Sequence, residues 1–200
     1  MNSSQNIFPD KRVLRRSDKE KILKQRAKAI WLTGLSGSGK TTLAIELENA
    51  LIEKGFFTQI LDGDIVRMGI NNNLGFSEKD RKENIRRVAE VSKLFINCGI
   101  ITINCFVSPT IVIRREAKNI IGVDDFIEVF INTPLEICEK RDVKGLYAKA
   151  RKGEVLDFTG VNAPWEEPEN ADINVFTNKM TVAESLKSLI NQVIPLVTQA

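Results

Sequence analysis

The sequence predicts an α/β fold: a three-layer sandwich whose mostly parallel five-stranded sheet carries helices on both faces. Three observations predict it. Short apolar runs recur at 29–33, 57–61, 100–106, 126–131 and 173–176. Segments of helical period separate them, and strands alternating with helices imply parallel crossovers. The first run leads into a glycine-rich loop, Gly34-Leu35-Ser36-Gly37-Ser38-Gly39-Lys40-Thr41, and Thr42 then opens a helix.

The elements follow in order. Residues 1–28 read as a basic N-terminal arm, irregular to about residue 16 and broken at Pro9. A short helix over 17–25 is expected there, capped by Ser17 with Glu20 three residues on. The main domain spans 29–200. Strand 29–33 is followed by the glycine loop and a helix to about Lys54, which Gly55 ends. Strand 57–61 delivers Asp62-Gly63-Asp64 to a strand end, and 65–76 reads as looser chain. Ser77 caps the longest helix, with Asp80 in the reciprocal position and Gly99 closing it. Strand 100–106 ends in Val107-Ser108-Pro109, and a helix runs from about Val112 to Ile121. After strand 126–131, Thr133 is the expected cap of a short helix, with Pro134 in its first turn. Residues 142–170 show no hydrophobic period and are rich in charge, Gly and Pro. A stretch this long in a compact domain is read as a lid, about 142–165. Strand 173–176 and an amphipathic helix 182–193, with Thr181 and Glu184 as a capping box, close the chain.

The glycine loop satisfies G-x-x-x-x-G-K-[ST] at every fixed position and sits between a strand and a helix, the context that this motif requires. Its glycines let successive amide N–H groups point into one hollow. The helix N-terminus adds unpaired donors and partial positive charge. Lys40 can reach the β- and γ-phosphates of a nucleotide, and the Thr41 hydroxyl can ligate magnesium. The motif places the fold in the P-loop NTPase type. In open parallel sheets ligands gather at the C-terminal strand ends. The loop, Asp62-Gly63-Asp64 and Ser108-Pro109 all fall there, so three separate motifs converge.

Composition narrows the chemistry. The chain has 200 residues, is 42% hydrophobic, and contains no histidine. Histidine acid–base chemistry and histidine metal ligands are therefore excluded, and any general base is a carboxylate or belongs to the ligand. Cys98, Cys105 and Cys138 form no C-x-x-C pair and are expected to be buried, reduced thiols. No apolar run approaches a membrane span and no secretory leader is visible, so a soluble, cytoplasmic protein is expected. The arm holds nine Lys/Arg against three acids. No aromatic interleaving or nucleic-acid module accompanies that charge, so a solvated arm is expected and no nucleic-acid partner.

The acids follow the second strand, where small-molecule kinases of this class place the residue that activates the acceptor. The later strand 100–106 ends without an acid, unlike motor and switch ATPases. Asp62 and Asp64 are two apart, so in extended chain only one faces the phosphates. Such a carboxylate can orient an acceptor hydroxyl, accept its proton late, or hold magnesium through water.

Further segments carry a closer likeness. Leu61-Asp62-Gly63-Asp64 with Arg67, Leu74-Gly75-Phe76-Ser77 with Asp80-Arg81, and Glu83-Asn84-Ile85-Arg86-Arg87 are followed by Phe106-Val107-Ser108-Pro109. Then come Cys138-Glu139-Lys140-Arg141-Asp142, Lys144-Gly145-Leu146-Tyr147, Ala150-Arg151 and Asp157-Phe158-Thr159-Gly160. With the glycine loop, this set resembles the adenylyl-sulfate kinase family in order and spacing from about residue 6 to the end. The resemblance implies phosphorylation by ATP, with Mg²⁺, of the 3′-hydroxyl of adenosine 5′-phosphosulfate (APS). It implies a nucleotide site at Gly34 to Thr42 with Arg141, and catalytic roles for Lys40 and Asp64. Thr41 and Asp64 would serve the metal, Asp64 through water. Asp62, Arg67, Phe76, Arg81, Asn84, Lys144, Leu146 and Phe158 would bind the acceptor, with Phe76 and Phe158 sandwiching its adenine. Ser108 is the family's phosphoserine position, but nothing nearby in the sequence activates it as a nucleophile. The resemblance further implies a homodimer and association with an ATP sulfurylase.

Departures from the family pattern fall at Ile65, Thr110, Ile111, Ile113, Asn162, Ala163 and Trp165 and are expected to touch the acceptor side. Two other readings stay open at this point: a related kinase with another nucleotide or sugar acceptor, and a non-catalytic nucleotide-binding regulatory module.

Overall fold

The computed structural model describes residues 8, 10 and 12–199. Most of the expected irregular arm, residues 1–7, 9 and 11, lies outside the described residues. The sheet has five strands: β1 (Ala29–Thr33), β2 (Thr58–Asp62), β3 (Ile101–Cys105), β4 (Phe126–Ile131) and β5 (Ile173–Val175). Their order is β2-β3-β1-β4-β5, and every pairing is parallel rather than mostly so.

β1 is central and buried at every residue, and its side chains alternate between two cores. On one face Ile30 and Leu32 meet Leu43, Leu47 and Leu51 of α2 (Lys40–Glu53) and Leu189, Val193 and Val197 of α8 (Val182–Val197). On the other, Ala29 and Trp31 meet Ile85, Val88 and Ile96 of α4 (Glu78–Asn97) and Ile113 and Ala117 of α5 (Ile111–Ile121). Each fully buried Leu or Ile contributes about 1.5–3 kcal/mol. This double burial fixes the plane from which the glycine loop emerges.

Several boundaries differ from expectation. α1 (Arg16–Leu23) begins before Ser17, because Asp18 accepts the Arg15 N–H at 3.3 Å. Glu20 instead accepts from Arg16 at 2.9 Å and from the Ala27 N–H at 2.8 Å. The looser stretch after β2 contains a short helix, α3 (Gly63–Met68), capped by Asp62, whose carboxylate accepts the Asp64 N–H at 2.9 Å. α6 (Leu135–Arg141) starts after Pro134. Thr133 does not cap it; its hydroxyl reaches the Ser38 carbonyl at 3.2 Å. The stretch read as structureless holds α7 (Leu146–Arg151), whose first amides are gathered by Asp142, at 3.0 Å from both Tyr147 N and Ala148 N. α8 continues through Pro195 to Val197. Cys105 and Cys138 are buried but Cys98 is exposed, since it caps α4 at the surface. Among the described residues no helix is long and apolar enough to cross a membrane.

Candidate active site

The glycine loop wraps the start of α2. Gly34, Gly37 and Gly39 all have positive φ (152°, 74° and 104°). A Cβ on Gly34 would lie 2.7 Å from the Ile131 carbonyl, so β4 excludes any side chain there. Lys40 is buried and donates to the Gly34 and Leu35 carbonyls at 2.8 and 2.7 Å. Burial lowers its pKa to about 8. The loop's outward carbonyls are braced from distant elements. Thr177 Oγ1 donates to Ser38 O at 2.8 Å, and Tyr147 Oη to Ser36 O at 2.9 Å. Arg141 donates to Gly37 O at 3.2 Å, Ser38 O at 3.3 Å and Thr177 O at 2.9 Å. Arg141 thus braces the loop's backbone through its carbonyls.

The two acids separate. β2 ends at Asp62, and Asp62 Oδ2 accepts the Thr41 hydroxyl at 3.1 Å. Asp64 lies in the first turn of α3 and pairs with Lys144 from the segment between α6 and α7. The extended-chain alternation invoked for 62–64 does not apply, because Gly63 already begins a helix.

Arg67 donates to the Leu74 and Gly75 carbonyls at 3.0 and 2.9 Å, and its guanidinium carbon lies 4.3 Å from the centre of the Phe76 ring. Arg81 approaches the same ring at 5.6 Å, donates to Phe76 O at 2.8 Å and reaches the Asp157 carbonyl. Burial depresses both guanidinium pKa values, yet two permanent cations remain beside one exposed aromatic. Asn84 is buried and accepts from Asn71 Nδ2 at 2.9 Å. Phe158 packs edge-on against Tyr147, with centroids 4.9 Å apart. Arg86 and Arg87 turn away and pair with Glu83 at 2.7 and 2.8 Å.

Ser108 has φ +47° and is buried, with its Oγ accepting from Trp31 Nε1 at 3.0 Å. Sequence reasoning named Ser108 but not its supports. Trp31 and Thr177 were missed as contributors because each acts on a partner far along the chain, and Arg114 was missed although Ser108 is only six residues away. An arginine in the buried stripe of α5 was the available signal for Arg114.

A single cavity of about 730 Å³ gathers the pieces. Its lining includes Ser36, Gly37, Gly39, Lys40, Thr41 and Thr42 with Asp62 and Arg141 at one end, and Asp64, Arg67, Phe76, Arg81, Asn84, Ser108, Lys144, Leu146 and Phe158 toward the other, so Asp62, expected with the acceptor, stands beside Thr41 instead. Gly34, Leu35 and Ser38 lie behind the loop surface, outside this lining. None of the seven departures lines it either. Thr110 caps α5, Asn162 holds the Phe158 N–H at 2.6 Å and the Val155 carbonyl at 2.9 Å, and Trp165 packs on Phe130. The expectation that they touch the acceptor is therefore corrected for Thr110, Asn162 and Trp165, which do structural tasks outside the lining, while Ile65 is exposed beside Asp64.

The adenylylsulphate kinase family model matches residues 26–176. The chain belongs to the adenylylsulphate kinase family. It is 57% identical over 200 residues to an adenylyl-sulfate kinase of Bacteroides fragilis, covering all of this chain and 99% of that one. It is 50% identical over 187 residues to the adenylyl-sulfate kinase of Clostridium acetobutylicum, covering 94% and 93% of the two chains. It is also similar to the solved Mycobacterium tuberculosis APS kinase CysC in complex with AMPPNP and APS. There the TM-score is 0.81 and the identity 43%, over 84% of this chain and 98% of that one. As an adenylylsulphate kinase, the chain is a phosphotransferase, and its site has the two-ended form that a donor and an acceptor require.

Proposed function

We propose that this chain transfers the γ-phosphoryl group of ATP to the 3′-hydroxyl of APS, giving 3′-phosphoadenosine 5′-phosphosulfate and ADP. The observation that carries the reading is the continuity of one cavity from Lys40 and Thr41 to the Arg67–Phe76–Arg81 cluster. Phosphoryl transfer needs positioning and charge neutralisation more than covalent participation by the protein. Lys40 exchanges its bonds to Gly34 O and Leu35 O for phosphate oxygens. The loop amides bind the remaining anionic oxygens. Asp64 orients the acceptor hydroxyl and takes its proton late, released from Lys144 as that lysine moves to the acceptor's anionic group. Arg67 and Arg81 hold the phosphosulfate, and Phe76 and Phe158 flank the adenine.

Magnesium fits the donor set. The exposed Thr41 hydroxyl and the Asp62 carboxylate offer hard oxygen atoms beside the loop, with Asp62 Oδ1 engaged by α3 and Oδ2 facing Thr41. Thr41 would hold the ion directly, and Asp62, with Asp64 beyond it, through water. Bound there, the ion would neutralise charge on the transferring phosphate.

A substrate panel with coupled ADP detection tests the reading. Turnover with APS and none with simple sugars or nucleoside monophosphates is the expected result. Turnover of a different acceptor with none of APS would overturn it. We further propose a cytoplasmic homodimer that uses the basic arm, with sulfurylase association as a separate question. Removal of residues 1–14 followed by solution-mass measurement tests the arm's part. It spares Gln25, whose side chain is bonded to Phe57 and Gly99 within the body.

A further inference from the structure

Behind the acceptor wall lies an arrangement that the transfer chemistry does not use. Arg114 is only 4% exposed, although it projects from α5 beneath the Ser108 turn. Its Nη1 donates to the Ser108 carbonyl at 2.8 Å, and its Nε pairs with Glu128 Oε1 at 2.9 Å. The Trp165 ring covers the guanidinium, 5.7 Å from its central carbon. The same stretch of chain is stitched to the Ser108 turn by backbone. Glu166 N donates to Pro109 O at 2.9 Å, and Glu166 Oε2 accepts from Ile111 N at 2.7 Å.

A buried arginine needs a reason. Taking an ion pair out of water is seldom a source of stability, and apolar residues of similar volume often serve as well. The Ser108 turn supplies the reason. A serine at φ +47° is in a sparsely populated region and persists only where surrounding contacts impose it. Trp31 holds the side chain and Arg114 holds the carbonyl, so both ends of the residue are fixed. Ser108 and Pro109 line the cavity, whereas Arg114 and Trp165 do not. Arg114 therefore acts through Ser108.

We propose that Arg114 is a positioning residue for the acceptor half of the site: it imposes the left-handed turn at Ser108 and couples that turn to the lid's return segment at Trp165 and Glu166. This deepens the function proposed above and rests on it.

The test must separate positioning from simple stability. Arg114→Met alone strands Glu128 and can unfold the chain, so the informative variant is Arg114→Met with Glu128→Leu, which removes both buried charges together. A merely structural role predicts a folded protein with wild-type kinetics. Positioning predicts wild-type or higher thermal stability, KM for ATP within about twofold, and KM for APS raised roughly tenfold or more, as loss of a charge-assisted hydrogen bond implies. Trp165→Leu, which keeps the ion pair, should shift the same parameter in the same direction by a smaller factor. In a Ser108→Gly background, where the turn needs no imposition, the double substitution should cost far less.

Unchanged KM for APS in both variants, or equal increases for ATP and APS, would overturn the proposal. So would an undiminished cost in the Ser108→Gly background. Absence of APS turnover by the unaltered chain would instead count against the acceptor assignment. The same variants are then read with whichever acceptor the panel identifies.

Discussion

Thr41 Oγ1 donates to Asp62 Oδ2 at 3.1 Å, and this contact divides the work of two acids that stand only two positions apart. Asp62 belongs to the phosphate loop's end of the cavity, and Asp64 to the lid's end through Lys144. Replacing each should give different defects. Asp62→Asn should raise the Mg²⁺ concentration for half-maximal activity several-fold, with much of the rate recovered at saturating metal. Asp64→Ala should lower turnover by roughly 10²–10⁴, with ATP affinity largely kept. Metal titrations and nucleotide binding measured on both variants check the division. Near-normal turnover in Asp64→Ala would remove that residue from catalysis.

Lys40 makes the unliganded protein's stability depend on alkaline pH. Its folded pKa of about 8 lies below the ordinary 10.5. Below pH 8 the lysine is charged in both states, and burial of that charge is a full cost to the fold. Between 8 and 10.5 the unfolded chain binds a proton that the folded chain does not, so stability rises with pH. Wild-type stability measured relative to Lys40→Met should therefore rise across this window, by about 3 kcal/mol in all. Denaturant melts from pH 7 to 10.5 measure it. A saturating nucleotide, which restores an anionic partner to Lys40, should flatten the rise.

Phe76 and Phe158 should separate stability from binding. Phe76 is 58% exposed and is covered by two guanidinium groups rather than by core. Phe76→Ala should leave the melting temperature nearly unchanged and weaken the acceptor by roughly 1–3 kcal/mol, or about five- to 150-fold in KM. Phe158 also packs edge-on against Tyr147. Phe158→Ala should weaken the acceptor and also lower the melting temperature, because the Tyr147 hydroxyl anchors the loop at Ser36. Thermal melts and acceptor titrations of the pair give the comparison.

Gly34→Ala should abolish tight nucleotide binding without touching a ligand-facing side chain. The new methyl would meet the Ile131 carbonyl at 2.7 Å and Ser38 Oγ at 2.9 Å. Both neighbours are held by the central sheet or the loop itself, so the loop must shift. A destabilisation of about 1–3 kcal/mol and a loss of ATP affinity of tenfold or more are expected. Calorimetric titration with ATP decides it.

The parts of this site that are local in sequence were legible in it. The loop at 34–41 follows its strand and precedes its helix within a dozen residues, and the five apolar runs mark the five strands. What escaped depends on partners brought together only by folding. Asp62-Gly63-Asp64 reads as extended chain, yet Gly63 opens α3 because Asp62 can cap it, and this turns the two acids to different neighbours. α7 is too short for a period to emerge, and its start is fixed by Asp142 rather than by a capping serine or threonine. Arg141, which the family resemblance places at the nucleotide, lines the cavity and in addition grips loop carbonyls far back along the chain. The departures at Asn162 and Trp165 looked like changes in the acceptor pocket because sequence shows neighbours along the chain, not sides of a wall.

The bracing of the phosphate loop has a consequence for how the protein is made. The loop's own residues leave the ribosome early, but the groups that grip its carbonyls, Arg141 and Thr177, lie 104 and 139 positions further along. β4 must also be laid beside β1, and β5 beside β4, before those groups are in place. A nascent chain halted between Thr42 and Thr177 carries the entire nucleotide motif and yet lacks part of its scaffold. ATP capture during synthesis thus reports that the carboxyl-terminal third has arrived and docked, and ATP then holds the newly completed chain against reopening.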